Sequence, residues 1–166
     1  MESRTVDLGG PVHYIDFGGD GPALVLVHGL GGSHPNWLAV GPRLAERCRV
    51  FAPDLVGFGR TPPAGRPMNL QGHRDLIERF LDEVVGGPAI LVGNSTGGVL
   101  SIIEAVAAPE KVAGLVLLDP ALPRGPGARP DGVVVGAFAA YAVPGVGERF
   151  VRLRRKQLGP EGIFRE

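Results

Sequence analysis

Apolar residues in the first two thirds of the chain gather into short continuous runs. The clearest runs cover residues 23–27, 50–52, 89–92 and 114–118. Continuous runs of this length are typical of strands in a parallel sheet, because such strands are covered on both faces. Four buried parallel strands are therefore expected.

The beginning of the chain has a different pattern. Two segments, residues 5–8 and 12–17, flank the pair Gly9-Gly10. Short strand-like segments joined by two glycines predict an antiparallel hairpin, because glycine readily adopts the positive φ angles of tight turns.

Segments with helical periodicity lie between the apolar runs, at residues 38–47, 70–85 and 96–108. In the second segment apolar residues recur every three or four positions, with charged residues on the opposite face. Pro109 ends the third. Strands that alternate with helices predict an α/β fold built on a mostly parallel, doubly wound sheet.

The texture of the sequence changes beyond the last apolar run. Residues 121–130 have the composition of a linker, and helices are predicted at 133–141 and 146–158. The second of these helices is basic, and we interpret its charged side as a solvated face rather than a membrane-binding one. The predicted organisation is a core over residues 1–120 followed by a separate region over residues 121–166.

Composition narrows the classes of function. Seventeen basic residues balance seventeen acidic ones in a chain of 166 residues, so no global charge attracts nucleic acid or an anionic membrane. The single cysteine, Cys48, excludes an internal disulfide framework. No apolar run approaches the roughly 18 residues of a membrane span, and we expect no signal peptide, because residues 1–4 lead into polar alternation without an apolar core. We expect a cytoplasmic protein that binds a small molecule, with its oligomeric state open.

One segment carries the chemistry of a nucleophile. Gly93-Asn94-Ser95-Thr96-Gly97 follows an apolar strand and precedes an apolar helix. A serine needs a base to take its proton and donors to hold the developing oxyanion, and a sharp strand-to-helix turn is one way to present it. The pentapeptide alone is a weak signal, but this context makes Ser95 the predicted nucleophile.

A second apolar strand runs into the turn His28-Gly29. Where a serine nucleophile lies on a sharp strand-to-helix turn, one oxyanion donor is the backbone N–H of the residue after it, here Thr96. Another donor comes from the loop after the third strand. We assign the second donor to the N–H of Leu30, with Gly31 as the alternative. Asp54, in a loop rich in glycine, is interpreted as a structural turn residue.

The order of these motifs resembles the α/β-hydrolase superfamily, near the small bacterial haloperoxidase, esterase and epoxide-hydrolase-like groups. The resemblance covers about residues 5–120 and implies the α/β-hydrolase fold, with a helical cap that begins near Ala121. Family members that hydrolyse epoxides or haloalkanes carry aspartate at the elbow, so Ser95 argues against those two activities.

The resemblance also implies a triad in the order serine, acid, histidine. All four histidines, His13, His28, His34 and His73, precede Ser95, and none matches the position of the family's base. Asp119, at the end of the sixth strand, is the candidate acid of this chain, but an Asp-Pro there also occurs as a plain strand terminator, and we favour that structural interpretation. We therefore expect a chain truncated after about strand six and the start of the cap, which would leave that strand as an unpaired apolar edge.

Three functions compete at this stage. The first is hydrolysis of an ester or related acyl bond of a small molecule through an acyl-Ser95 intermediate; a perhydrolase of the haloperoxidase type would use the same site. The second is a non-catalytic, hydrolase-like binding module, which the missing histidine favours. The third is a Rossmann-type nucleotide binder, which lacks a complete glycine motif and an acidic ribose ligand. No cofactor and no metal ligand set are predicted, because no two histidines share a ligand spacing.

Overall fold

The fold was obtained as a computed structural model that describes residues 1–122. These residues form one six-stranded sheet in the order β1-β2-β4-β3-β5-β6. The strands are β1 (Glu2–Asp7), β2 (Pro11–Gly18), β3 (Ala23–Val27), β4 (Arg49–Pro53), β5 (Ala89–Asn94) and β6 (Val112–Leu118).

The sheet combines an antiparallel margin with a parallel centre. Strand β2 pairs antiparallel with both β1 and β4, and strands β4, β3, β5 and β6 run parallel to one another. The predicted hairpin and the four predicted parallel strands are confirmed. Because the parallel strands point the same way, the loops that leave β3, β4 and β5 meet at one edge of the sheet.

Three α-helices connect the strands: α1 (Gly41–Leu44), α2 (Leu70–Phe80) and α3 (Thr96–Ala107). Helix α2 begins at Asn69, whose side chain accepts a hydrogen bond from the N–H of Gly72, and continues into a π-helical turn at Leu81–Val85. The helix predicted at 38–47 is wrong in extent. The chain there forms a 3₁₀ turn (His34–Trp37) followed by the short helix α1.

Apolar side chains cover both faces of the sheet. On one face Val25 and Val27 of β3 pack with the buried side of α2 and with Leu100 of α3. On the other face Leu24 and Leu26 pack in a cluster that includes Trp37. Burial of both faces explains why the central strands are continuously apolar, and the predicted doubly wound α/β fold is confirmed.

Strand β6 lies at one edge of the described sheet. Its four last side chains are apolar and each is 38–45% exposed: Leu115, Val116, Leu117 and Leu118. Within residues 1–122 no helix combines the length and the apolar character that crossing a membrane requires. The predicted linker and cap helices of residues 123–166 lie outside the described residues, so the boundary predicted at residue 120 stays a prediction.

Candidate active site

Ser95 lies on a sharp turn between β5 and α3. Its backbone has φ 51° and ψ −116°, a conformation that side-chain-bearing residues rarely adopt. Neighbouring backbone fixes the turn: the N–H of Ser95 donates to the carbonyl of Leu118 at 3.0 Å, and the N–H of Ala121 donates to the carbonyl of Ser95 at 3.1 Å. This strained strand-to-helix turn is the geometry expected of a nucleophile elbow.

The glycines of the pentapeptide have steric reasons to be glycine. A Cβ on Gly93 would overlap the backbone of Gly97 and Gly98, which begins the helix. A Cβ on Gly97 would overlap the carbonyl oxygens of Val27 and His28 at the end of β3. The elbow is therefore held close to the β3 terminus, and side chains at either glycine would push the two apart.

Ser95 and the loop after β3 line one open pocket. The lining residues are His28, Gly29, Leu30, Gly31, Gly32, Asn36, Asn94 and Ser95. Both candidates for the second oxyanion donor, Leu30 and Gly31, thus share the pocket with the serine. The loop turns through a hydrogen bond from the N–H of Gly32 to the carbonyl of Gly29 at 3.0 Å.

The N–H of Leu30 makes no backbone hydrogen bond within residues 1–122. Thr96 is the first residue of α3, so its N–H has no acceptor within the helix. Both groups are thus free to donate to a ligand. Their role as oxyanion donors stays a prediction.

His28 is fully buried and already engaged. Its Nδ1 lies 2.8 Å from the carbonyl oxygen of Gly29, and its Nε2 accepts from the N–H of Leu55 at 3.0 Å. Burial lowers the pKa of this imidazole and keeps it neutral. His28 therefore links the loops after β3 and β4 and is not a base for Ser95.

Asp54 follows β4 and is completely buried. Its oxygens accept from the backbone N–H groups of His34 at 2.7 Å and Arg60 at 2.9 Å. They also lie 2.9 Å from the Nδ1 atoms of both His13 and His34. Burial opposes the charged form, but these hydrogen bonds outweigh it and lower the pKa of Asp54. The interpretation of Asp54 as a structural residue agrees with this network.

His13 has a second hydrogen bond on its other side. Its Nε2 lies 2.8 Å from the hydroxyl of Ser3 on the neighbouring strand β1. Sequence reasoning missed this row of Ser3, His13 and Asp54. The signal available was the hairpin register, which brings residues near 3 and 13 together, but nothing in the sequence placed Asp54 beside them.

The cluster of His13, His34 and Asp54 has the residue types that could bind a metal ion. One ligating atom from each of His13, His34 and Asp54 lies within 4.8 Å of the others. The separations of 2.9 Å between each Nδ1 and the carboxylate are those of hydrogen bonds, and Asp54 also accepts two backbone N–H groups. The arrangement fits a protonated network better than a set of metal ligands.

The fourth histidine, His73, is buried in α2 against Phe58, and its Nδ1 has no hydrogen bond partner within residues 1–122. Burial lowers the pKa of His73. No histidine of the chain is hydrogen bonded to Ser95.

Asp119 follows β6 one residue after Leu118, is exposed and has φ 44°. Its assignment as the acid stays a prediction.

Comparison with known proteins agrees with this geometry. Residues 22–155 match the family model described as alpha/beta hydrolase fold. The chain is 38% identical over 112 residues to the lipase LipV of Mycobacterium tuberculosis, covering 67% of this chain and 42% of that protein. It is 40% identical over 104 residues to 2-hydroxy-6-oxo-2,4-heptadienoate hydrolase of Pseudomonas putida, covering 60% of this chain and 38% of that protein.

The fold also matches a crystal structure. The haloalkane dehalogenase DatA of Agrobacterium tumefaciens superimposes with a TM-score of 0.75 at 23% identity, covering 95% of this chain and 54% of that one. The chain thus spans about half the length of this crystal structure. It spans less than half the length of the two curated relatives. With the family match over most of its length, the chain belongs to the alpha/beta hydrolase fold family.

Proposed function

We propose that this chain carries the nucleophile and the oxyanion donors of a serine hydrolase that acts on an ester or related acyl bond of a small molecule. The observation that carries the proposal is the strained backbone of Ser95, at φ 51°, on the wall of the pocket that Leu30 and Gly31 also line. Strain of this kind is retained where it serves presentation of a side chain.

The chemistry follows from this geometry. The Oγ of Ser95 attacks the acyl carbon and forms a C–O bond, while the carbonyl oxygen takes up negative charge. The N–H groups of Leu30 and Thr96 hold that charge, and collapse of the intermediate breaks the bond to the leaving oxygen, which departs as an alcohol with the proton that a base has taken from Ser95. Water then releases the acyl group from Ser95. Turnover needs a base for the proton of Ser95, and none of the four histidines is hydrogen bonded to it.

The substrate class rests on the polarity of the pocket and on the relatives. Asn36 and Asn94 add amide groups to the pocket wall, which suits a substrate with polar atoms near its acyl carbon. One relative is named a lipase and another a hydrolase of an oxo-acid. A perhydrolase reaction would use the same serine and the same donors.

A second function is supported by the absence, within residues 1–122, of a histidine that is hydrogen bonded to Ser95. A pocket with donors but without an activated nucleophile binds an acyl compound without cleaving it. The hydrolase and the binding module therefore differ in one property, the ability of Ser95 to form a covalent bond.

Chemical rescue tests this property. The chain is treated with a fluorophosphonate, with and without added imidazole, and adducts on each serine are measured by peptide mass spectrometry. We expect an adduct on Ser95 that imidazole increases, because the pocket is open and the added base supplies the missing proton acceptor. Ser95→Ala removes the signal, and Ser33 is the internal reference. A folded chain that forms no Ser95 adduct at any imidazole concentration favours the binding module.

A further inference from the structure

A second serine of this molecule has the partners that Ser95 lacks. The hydroxyl of Ser3 lies 2.8 Å from Nε2 of His13, and Nδ1 of His13 lies 2.9 Å from Oδ2 of Asp54. We propose that Ser3 is a second nucleophilic serine, activated by His13 and Asp54, which accepts acyl or phosphonyl groups from compounds with a good leaving group.

When His13 is neutral, the hydrogen bonds of this row allow only one arrangement of the protons. The ionised carboxylate of Asp54 can only accept, so Nδ1 of His13 must carry the proton. Nε2 then has a free lone pair, and the hydroxyl of Ser3 donates to it. This is the arrangement in which a histidine takes the proton of an attacking serine while a carboxylate stabilises the imidazolium that forms.

The surroundings favour these protonation states. Burial lowers the pKa of His13, and the hydrogen bond and charge of Asp54 oppose that shift without cancelling it. The other titratable groups that act on His13 are His34 and Arg60, and both lower its pKa further. His13 is therefore neutral at neutral pH and ready to accept a proton, beside a carboxylate whose own pKa is lowered.

Access distinguishes the three members of the row. Asp54 is 0% and His13 4% exposed, whereas Ser3 lies exposed on β1, the edge strand of the hairpin. The base and the acid are thus held in the interior, and the serine that contacts them is an exposed residue that an electrophile in solution can approach. A small reagent can reach Ser3 without a second pocket. The reactivity of Ser3 therefore depends more on the leaving group of the reagent than on the fit of the reagent to a pocket.

With a fluorophosphonate, Oγ of Ser3 forms a bond to phosphorus, the P–F bond breaks, and fluoride leaves. The hydroxyl proton moves to Nε2 of His13 and is then released to solvent. With an activated ester the bond forms to the acyl carbon, and the leaving group departs with its electron pair.

The test uses the full chain with Ser95→Ala, so that adducts on the elbow cannot contribute. After treatment with a fluorophosphonate, tandem mass spectrometry compares the rates of adduct formation on Ser3 and on Ser33, a partly exposed serine without a histidine partner. We expect Ser3 to react about 10²-fold faster, the lower range for general-base assistance. Ser3→Ala removes the adduct, and His13→Gln lowers the rate on Ser3 to that of Ser33.

A pH series protects the test against a failure of His13→Gln to fold. In the chain that retains His13, the rate on Ser3 relative to the rate on Ser33 falls as the pH drops through the lowered pKa of His13. Equal rates on Ser3 and Ser33 in a folded chain, or a ratio that does not change with pH, would overturn the proposal.

Discussion

Ser3 and Ser95 hold complementary halves of a serine hydrolase site. Ser95 has a strained backbone, a pocket and candidate oxyanion donors, but no histidine is hydrogen bonded to it. Ser3 has a histidine and an aspartate in a row, but it lies on an open strand and not in the pocket beside Leu30. The base and the oxyanion donors, which an ordinary serine hydrolase combines at one serine, therefore lie at two different serines in this chain.

Two different parts of the fold supply these contributions. The pocket and the oxyanion donors come from the parallel centre of the sheet, where the loop after β3 and the start of α3 meet. The row comes from the antiparallel margin, where β1, β2 and the loop after β4 meet. Changes in one region should therefore affect one serine and spare the other.

The largest effect is expected from Asp54→Asn. An amide in place of the carboxylate leaves part of a buried network, which joins His13, His34 and Arg60, without an acceptor. We expect a loss of about 3–5 kcal/mol in the free energy of unfolding, measured by urea denaturation. The exposed Asp20→Asn is the matched control, and an equal effect of both substitutions would contradict the role given to Asp54.

Leu30→Pro removes a backbone N–H from the pocket. If that N–H stabilises the oxyanion, the rate of adduct formation on Ser95 in the presence of imidazole should fall about 10²- to 10³-fold, while the rate on Ser3 stays the same. Leu30→Ala keeps the N–H and serves as the control. An unchanged rate in Leu30→Pro would reject Leu30 and direct attention to Gly31.

Gly97→Ala tests the close approach of the elbow to β3. The added methyl group overlaps the carbonyl of Val27, so we expect a loss of about 1–3 kcal/mol in stability and a slower reaction of Ser95. Gly87→Ala is the control, because a Cβ on Gly87 meets no atom within 4 Å. Thermal unfolding of the two variants makes the comparison, and a stable Gly97→Ala would show that the elbow has room.

The smallest effect concerns pH. Burial lowers the pKa of His13 from 6.5, so the neutral form that supports folding is favoured above pH 6.5, and its contribution is lost as the pH falls through the lowered pKa. The rate of adduct formation on Ser3 should then decline about tenfold for each pH unit below that pKa. Ser95 without imidazole provides the reference, since no histidine assists it.

The sequence predicted the centre of the sheet well because local pattern and global position agree there. Residues 23–27 are apolar without interruption since both faces of β3 are covered, and the elbow follows from a strand, a glycine and a serine in immediate succession. The prediction at 38–47 failed because Pro42 has no backbone N–H to donate to the preceding turn, so the helix begins only at Gly41 and is reduced to α1.

The row of Ser3, His13 and Asp54 could not be predicted in the same way. The three residues are separated by 10 and 41 positions, and they meet only because β2 pairs with β1 on one side and β4 on the other. Spacing rules that search for ligands on one helix or in one loop do not detect such a group. Register across two strand pairs was the missing information.

One measurement tests the central claim that this chain presents Ser95 as a nucleophile. Site-resolved fluorophosphonate labelling of the unmodified chain, with and without imidazole, reports all four serines in one sample. The account predicts an adduct on Ser95 that rises with imidazole, an adduct on Ser3 that does not, and only background on Ser33 and Ser101. A folded chain in which Ser95 stays at background with imidazole present would contradict it.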